Sequence, residues 1–225
     1  GSNALATTAY DDGYTAGGMY YCNGTGGEGR RYIAINNVEA GDKIVVYMAS
    51  SNAATGTLVF KYLGEDNEQV EKASFTNKGT KYEFVAKYSG SYKVYTDAAA
   101  GKPIYNRIVR IPGVAVSGTI DGAQLSGYKV MFKDEANGIT YDADIKGNTF
   151  TATLAAGCNY TAVLSGVAGY GFSNATKNIS TTVDEALTGK SGVTLSIEEK
   201  KVYTYTGKVT GFAADYDTSN LSVKL

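Results

Sequence analysis

Apolar residues along this chain alternate with polar ones at a period of two, in short runs. The i, i+3, i+4 spacing of an amphipathic helix is nearly absent. Tyr32-Ile33-Ala34-Ile35 is one such run, and Lys43-Ile44-Val45-Val46-Tyr47-Met48 follows after the turn pair Gly41-Asp42. Further runs are Thr57–Tyr62, Val70–Phe75, Tyr82–Ala86, Ser91–Tyr95 and Ile104–Ile111. Turn residues separate them at Glu65-Asp66-Asn67, Asn77-Lys78-Gly79, Ser89-Gly90 and Ala100-Gly101-Lys102-Pro103. Short strands with regular punctuation predict a β-sandwich, and alternation within each strand predicts one buried face and one wet face.

Pro103 and Pro112 bracket the last of these runs, where a residue without an N–H suits a strand end. The pattern restarts after Pro112-Gly113 with Val114–Ile120 and Tyr128–Phe132. Asn137-Gly138 marks a hairpin turn into Ile139–Ala143, and Lys146-Gly147-Asn148 marks the next turn, into Thr149–Leu154. Tyr160–Leu164, Asn178–Val183 and Gly192–Ile197 complete a second block. Val116-Ser117-Gly118-Thr119-Ile120-Asp121-Gly122 then finds a weak echo in Tyr205-Thr206-Gly207-Lys208-Val209-Thr210-Gly211. The expected organisation is all-β: a first sandwich over 5–112, a smaller spacer sandwich over 113–200, and the opening strands of a third module over 201–225. Two strands do not hold together alone in water, so those last strands are expected to belong to a longer protein or to pair with an exposed edge of another copy. Gly1-Ser2-Asn3-Ala4 reads as a tag-cleavage remnant and is set aside.

Composition narrows the chemistry. The 225 residues hold 28 Gly, 19 Tyr, 2 Cys, no His and no Trp, with a net charge of −1. Without histidine there is no His-activated nucleophile, no imidazole base and no His-ligated metal. Two cysteines do not make a structural zinc site. Balanced charge gives no footprint for nucleic acid. No stretch approaches the roughly 18 to 20 apolar residues that cross a bilayer as a helix. Cys22 and Cys158 fall in different expected modules, which favours two free thiols over a disulfide. The reading is of a binding or scaffolding chain, not an enzyme, with no nucleic-acid partner and no membrane insertion. Scarce charge and abundant Gly, Tyr, Thr and Asn suit a secreted or cell-surface bacterial protein.

Candidate site residues follow from the loops. The acidic groups read as solvated turn residues, and none shows the Asp-rich calcium-loop pattern. Asp11 and Asp12, beside a glycine-rich stretch, are the pair best placed for a cation, with Ca2+ the expected one; no other cofactor is expected. The loop Asn23–Arg31 contains G-x-G-x-x-G, but a strand follows where a phosphate site needs a helix. It reads either as a flexible connection or as a sugar-facing loop. In the second case Glu28, Arg30 and Arg31 hydrogen-bond hydroxyls or pair with uronate carboxylates, which suit arginine's planar fork. Tyr20 and Tyr21 stand beside it. A tyrosine ring stacks on a pyranose as tryptophan does, and adds a hydroxyl.

Gly29-Arg30-Arg31-Tyr32-Ile33-Ala34-Ile35, Ala40–Tyr47, Gly90–Tyr95 and Pro103–Ile108 together resemble the β-sandwich modules attached to secreted bacterial pectate lyases and related pectin-degrading enzymes. The likeness covers about 7–112. It implies a jelly-roll, galactose-binding-like fold and a polysaccharide-binding role. The implied partners are a plant cell-wall polysaccharide such as pectin and neighbouring domains of the same polypeptide. Val116–Ile120 and Tyr160–Leu164 are similar to the transthyretin-like or carboxypeptidase-regulatory-like sandwiches of surface proteins, which implies a spacer. A cell-surface adhesin or stalk without sugar binding is the alternative expectation.

Overall fold

The computed structural model describes residues 8–21, 26–50, 55–65, 68–76, 78–97 and 103–201. Cys22 and the strands expected beyond Lys201 lie outside these residues. The first half forms β1 (Tyr20–Tyr21), β2 (Ile33–Val38), β3 (Lys43–Ser50), β4 (Gly56–Tyr62), β5 (Val70–Phe75), β6 (Thr80–Val85), β7 (Gly90–Asp97) and β8 (Pro103–Ile111). One four-stranded sheet has the order β1-β8-β3-β6, and the other has β2-β7-β4-β5. Every pairing in them is antiparallel. This strand order over two facing sheets is that of a jelly roll.

The inner faces meet as alternation requires. Ile44, Val46 and Met48 of β3 face Leu58 and Phe60 of β4 and Tyr92 and Val94 of β7 in one core. Phe60 stacks across the sandwich on Phe84 at 5.0 Å and, within its own sheet, on Tyr92 at 4.5 Å. Buried Gln69 is fully engaged: its Nε2 donates to the Val85 carbonyl at 2.6 Å, and its Oε1 accepts from the Lys87 amide at 2.8 Å. A polar group taken out of water keeps its stability only when paired in this way.

β3 departs from the expected one wet face, being buried at every position. The reason lies upstream. Residues 8–19 fold into a small hairpin closed by the Ala9–Thr15 bridge. It lays Tyr10 and Ala16 over Val45 and Tyr47 on the outer face of β3. The rings of Tyr10 and Tyr14 lie 5.0 and 4.8 Å from that of Tyr47, and the Arg107 guanidinium stands 5.0 Å over Tyr14.

The second half forms β9 (Val114–Gly122), β10 (Lys129–Asp134), β11 (Ile139–Asp142), β12 (Asp144–Lys146), β13 (Thr149–Leu154), β14 (Asn159–Ser165), β15 (Tyr170–Phe172), β16 (Asn178–Ser180), the one-turn helix α1 (Glu185–Thr188) and β17 (Lys190–Glu199). A four-stranded sheet β11-β10-β14-β16 and a five-stranded sheet β12-β13-β9-β17-β15 enclose a second core around Phe132, Phe150, Leu154 and Leu195. β9 and β17 pair in parallel. A side chain at Gly118 would collide with the Val193 carbonyl, so this close pairing requires glycine there. The run expected to extend to Val183 leaves its ladder at Ser180. Thr181 turns inward there, its hydroxyl donating to the Ala155 carbonyl at 2.6 Å.

Among the described residues no sheet crosses Pro112, yet the two halves are joined by more than the chain. Val85 of β6 belongs to the second core, and Ile111 packs against it. Buried Asp42 accepts from Arg110 Nε at 2.5 Å and from the Gly113 amide at 3.2 Å. A methyl at Gly113 would stand 2.7 Å from Thr153 Cγ2, so a larger residue there has to displace that side chain.

Candidate functional site

Residues 26–32 lie on the outer face of the second sheet. Gly26 is buried against the backbone of Thr96, which a Cβ would approach to 2.7 Å at the carbonyl oxygen. The Arg30 amide donates to the Gly27 carbonyl at 3.1 Å, closing a turn with Glu28 at its corner. Arg31 follows with φ of 56°, a left-handed conformation uncommon for a residue with a side chain.

Beneath this turn lies the outer face of β2-β7-β4-β5. Leu58, Phe60, Tyr92 and Val94 point into the core, so the alternate positions Val59, Lys61, Lys93 and Tyr95 point outward. Lys61 and Lys93 stand directly opposite each other in the β4–β7 register. Glu28 bridges them. Lys61 Nζ donates to its carboxylate at 2.7 Å, and Lys93 Nζ donates to its main-chain oxygen at 3.2 Å. The Lys93 ammonium also sits 4.3 Å from the ring centre of Tyr32, which is 41% exposed. The hydrogen bond from Lys61 holds the Glu28 carboxyl below the usual carboxylate range, and the same bond raises the Lys61 ammonium.

The result is a patch in which Lys61 and Lys93 meet Glu28 and the exposed Tyr32 ring, with the exposed residues Arg30 and Arg31 next to Glu28 in the chain. Chemically it offers ammonium and guanidinium donors to an anion and an aromatic face to an apolar surface. No protein family, curated protein or solved structure matches this chain. The patch therefore stands on its own geometry.

The residues expected from the sequence divide between the two sheets. Glu28 sits on the second, with the exposed Arg30 and Arg31 following it in the chain. Tyr20 lies in β1 at the edge of the first, 60% exposed and in register with Tyr105. The backbone of Tyr21 pairs with Ile104 in the same ladder. Tyr32, Lys61 and Lys93 complete the patch although the pattern marks them only as strand positions. Period-two alternation puts Lys61 and Lys93 outside, but only strand pairing puts them opposite each other.

Asp11 and Asp12 lie apart, in the hairpin over the first sheet. Asp11 is exposed, 3.6 Å from Lys78 Nζ. Asp12 is surrounded by donors: the Tyr47 hydroxyl at 2.7 Å, the Tyr14 amide at 3.1 Å and the Lys81 ammonium at 3.7 Å. The Tyr47 hydrogen bond leads the effects that lower its pKa. Asp12 thus fastens the hairpin to β3. Among the described residues no three His, Cys, Asp or Glu side chains cluster to hold a metal ion.

A polar cleft of about 720 Å³ opens where the two halves meet. Its groups are largely engaged with one another. Lys43 Nζ lies 3.1 Å from Glu83, and both oxygens of buried Asp134 accept from Asn137, at 3.1 and 2.7 Å. Cys158 lines it as a free thiol whose pKa is raised, chiefly by burial, which opposes a reactive thiolate.

Proposed function

We propose that this chain is a non-catalytic, polysaccharide-binding and scaffolding segment of a secreted or cell-surface bacterial protein that degrades pectin. The first sandwich holds the glycan. The second positions it relative to neighbouring domains of the same polypeptide, which carry the lyase or esterase chemistry. The observation that supports this reading most is the Lys61–Lys93 pair beside exposed Tyr32. A chain of uronates presents regularly spaced carboxylates on rings with apolar faces, and the patch offers a complement to both features. The resemblance of 7–112 to accessory modules of pectate lyases points the same way.

Affinity-gel electrophoresis against polygalacturonate, pectin, xylan and glucan tests it. The expected result is retardation by the uronate polymers, lost in the Lys61→Ala/Lys93→Ala double variant. No retardation by any polymer overturns it.

One observation favours a second reading, a surface stalk or adhesin arm without sugar binding. The two halves share buried Val85 and the Asp42–Gly113 contact, a joint suited to a stiff spacer. A chain that ignores every glycan yet stays elongated and rigid in solution scattering fits that role.

A further inference from the structure

The Lys61–Lys93 pair is an unusual arrangement for the outer face of a sheet. Like charges directly opposite each other on neighbouring strands repel and weaken the ladder. Here the pair is relieved from outside the sheet, by a residue that belongs to neither strand. Glu28 puts its carboxylate on one lysine and its carbonyl on the other. Gly26, Gly27 and Gly29 surround Glu28; the Arg30 amide donates to the Gly27 carbonyl, and buried Gly26 seats the turn against Thr96. The Glu28 side chain is 47% exposed.

We infer that Glu28 is a built-in stand-in for the carboxylate of a uronate glycan, occupying Lys61 until a ligand carboxylate displaces it. This rests on the polysaccharide-binding reading above and adds the ligand chemistry and a control on its binding. The argument is chemical identity of the groups. A site that accepts the Glu28 carboxylate on an ammonium accepts a uronate carboxylate at the same place. A ligand carboxylate that displaces the Glu28 side chain frees Lys61, while Lys93 keeps the Glu28 main-chain oxygen for as long as the turn stays in place. Water and salt reach this ion pair, so exchanging one carboxylate for another is close to neutral, and the glycan's remaining contacts decide the outcome. Chief among those contacts is the exposed Tyr32 ring beside Lys93. Neutral glycans lack the group that replaces Glu28, so the stand-in also sets selectivity for charged polymers.

The test titrates polygalacturonate into the full chain and into Glu28→Gln, which keeps the side chain's shape and removes its charge. Circular dichroism confirms that the variant is folded. The expected result is binding about two- to fivefold tighter in Glu28→Gln at low salt, the range an exposed ion pair supplies, with a steeper loss of affinity as salt is added. Equal or weaker binding by Glu28→Gln, with the native chain binding and Lys61→Ala/Lys93→Ala not, overturns the stand-in while leaving the polysaccharide reading in place. Binding by neither the native chain nor Glu28→Gln overturns that reading, and the stand-in with it.

Discussion

Asp42 and Gly113 are 71 residues apart in sequence, and the carboxylate of the first receives the backbone amide of the second at 3.2 Å. Asp42 is buried, and its other oxygen receives Arg110 Nε and the Glu39 amide. One side chain therefore closes the β2–β3 turn, the end of β8 and the crossing into the second sandwich. Removing it leaves the Gly113 and Glu39 amides without their partner and Arg110 without its counter-charge. Asp42→Ala is expected to lower stability by about 3 kcal/mol in urea unfolding, and Asp42→Asn by less. A loss below about 0.5 kcal/mol would show that the joint does not depend on this contact.

Val85 belongs to a strand of the first sandwich and to the core of the second. Val85→Ala is expected to cost about 2 kcal/mol and to loosen the second half as well as the first. Amide exchange at Leu154 and Tyr160 is the readout. Faster exchange confined to residues before Pro112 would show that the halves are energetically separate.

Acid should release the N-terminal hairpin before it unfolds the sandwiches. The Tyr47 hydroxyl holds the Asp12 carboxyl below its ordinary 3.8. A carboxylate with a lowered folded pKa contributes stability above its unfolded pKa and loses it as pH falls through the folded one. Below pH 3.8, amide exchange over 10–16 is expected to accelerate ahead of the core strands. Tyr47→Phe should bring the same loosening at neutral pH. Exchange that rises in step everywhere would contradict this order.

Alkali works on the buried phenols. Burial pushes Tyr92 up to about 12 from an ordinary 10.0, and burial is also the largest effect raising Tyr10, Tyr141 and Tyr160. Between pH 10.0 and 12 the unfolded chain gives up the Tyr92 proton while the folded chain keeps it, so stability falls as pH rises. The prediction is a cooperative rise in tyrosinate absorbance that coincides with loss of the β-sheet circular dichroism signal. Gradual ionisation of all tyrosines before any unfolding would show that these rings are accessible.

Tyr32 is the exposed ring of the candidate patch. Tyr32→Ala is expected to weaken polygalacturonate binding by about three- to tenfold, the loss of one stacked ring, with thermal stability nearly unchanged. Tyr32→Phe should keep most of the affinity. Equal binding by Tyr32→Ala would remove the ring from the site.

Most of the longer strands are legible in the sequence, whereas the short β1, β12 and β15 are not. The period-two runs, the turns at Gly41-Asp42 and Asn137-Gly138, and the break at Pro112-Gly113 are local signals, written in neighbouring residues. It also marked Glu28, Arg30 and Arg31 as residues of one loop. Pairing and layering were left to the tertiary structure, because both join residues far apart in the chain. The parallel β9–β17 ladder is invisible to alternation, which is the same in either direction. β3 reads as half-wet and is dry on both sides, because the hairpin over 8–19 supplies the second cover. Asp11 and Asp12 read as turn residues with room for a cation, and folding turns Tyr47, Tyr14 and Lys81 toward Asp12 as donors. The patch shows the same division. Its loop could be named from sequence, but Lys61 and Lys93 meet only because β4 and β7 pair in one register. A shift of one residue would point either lysine into the core.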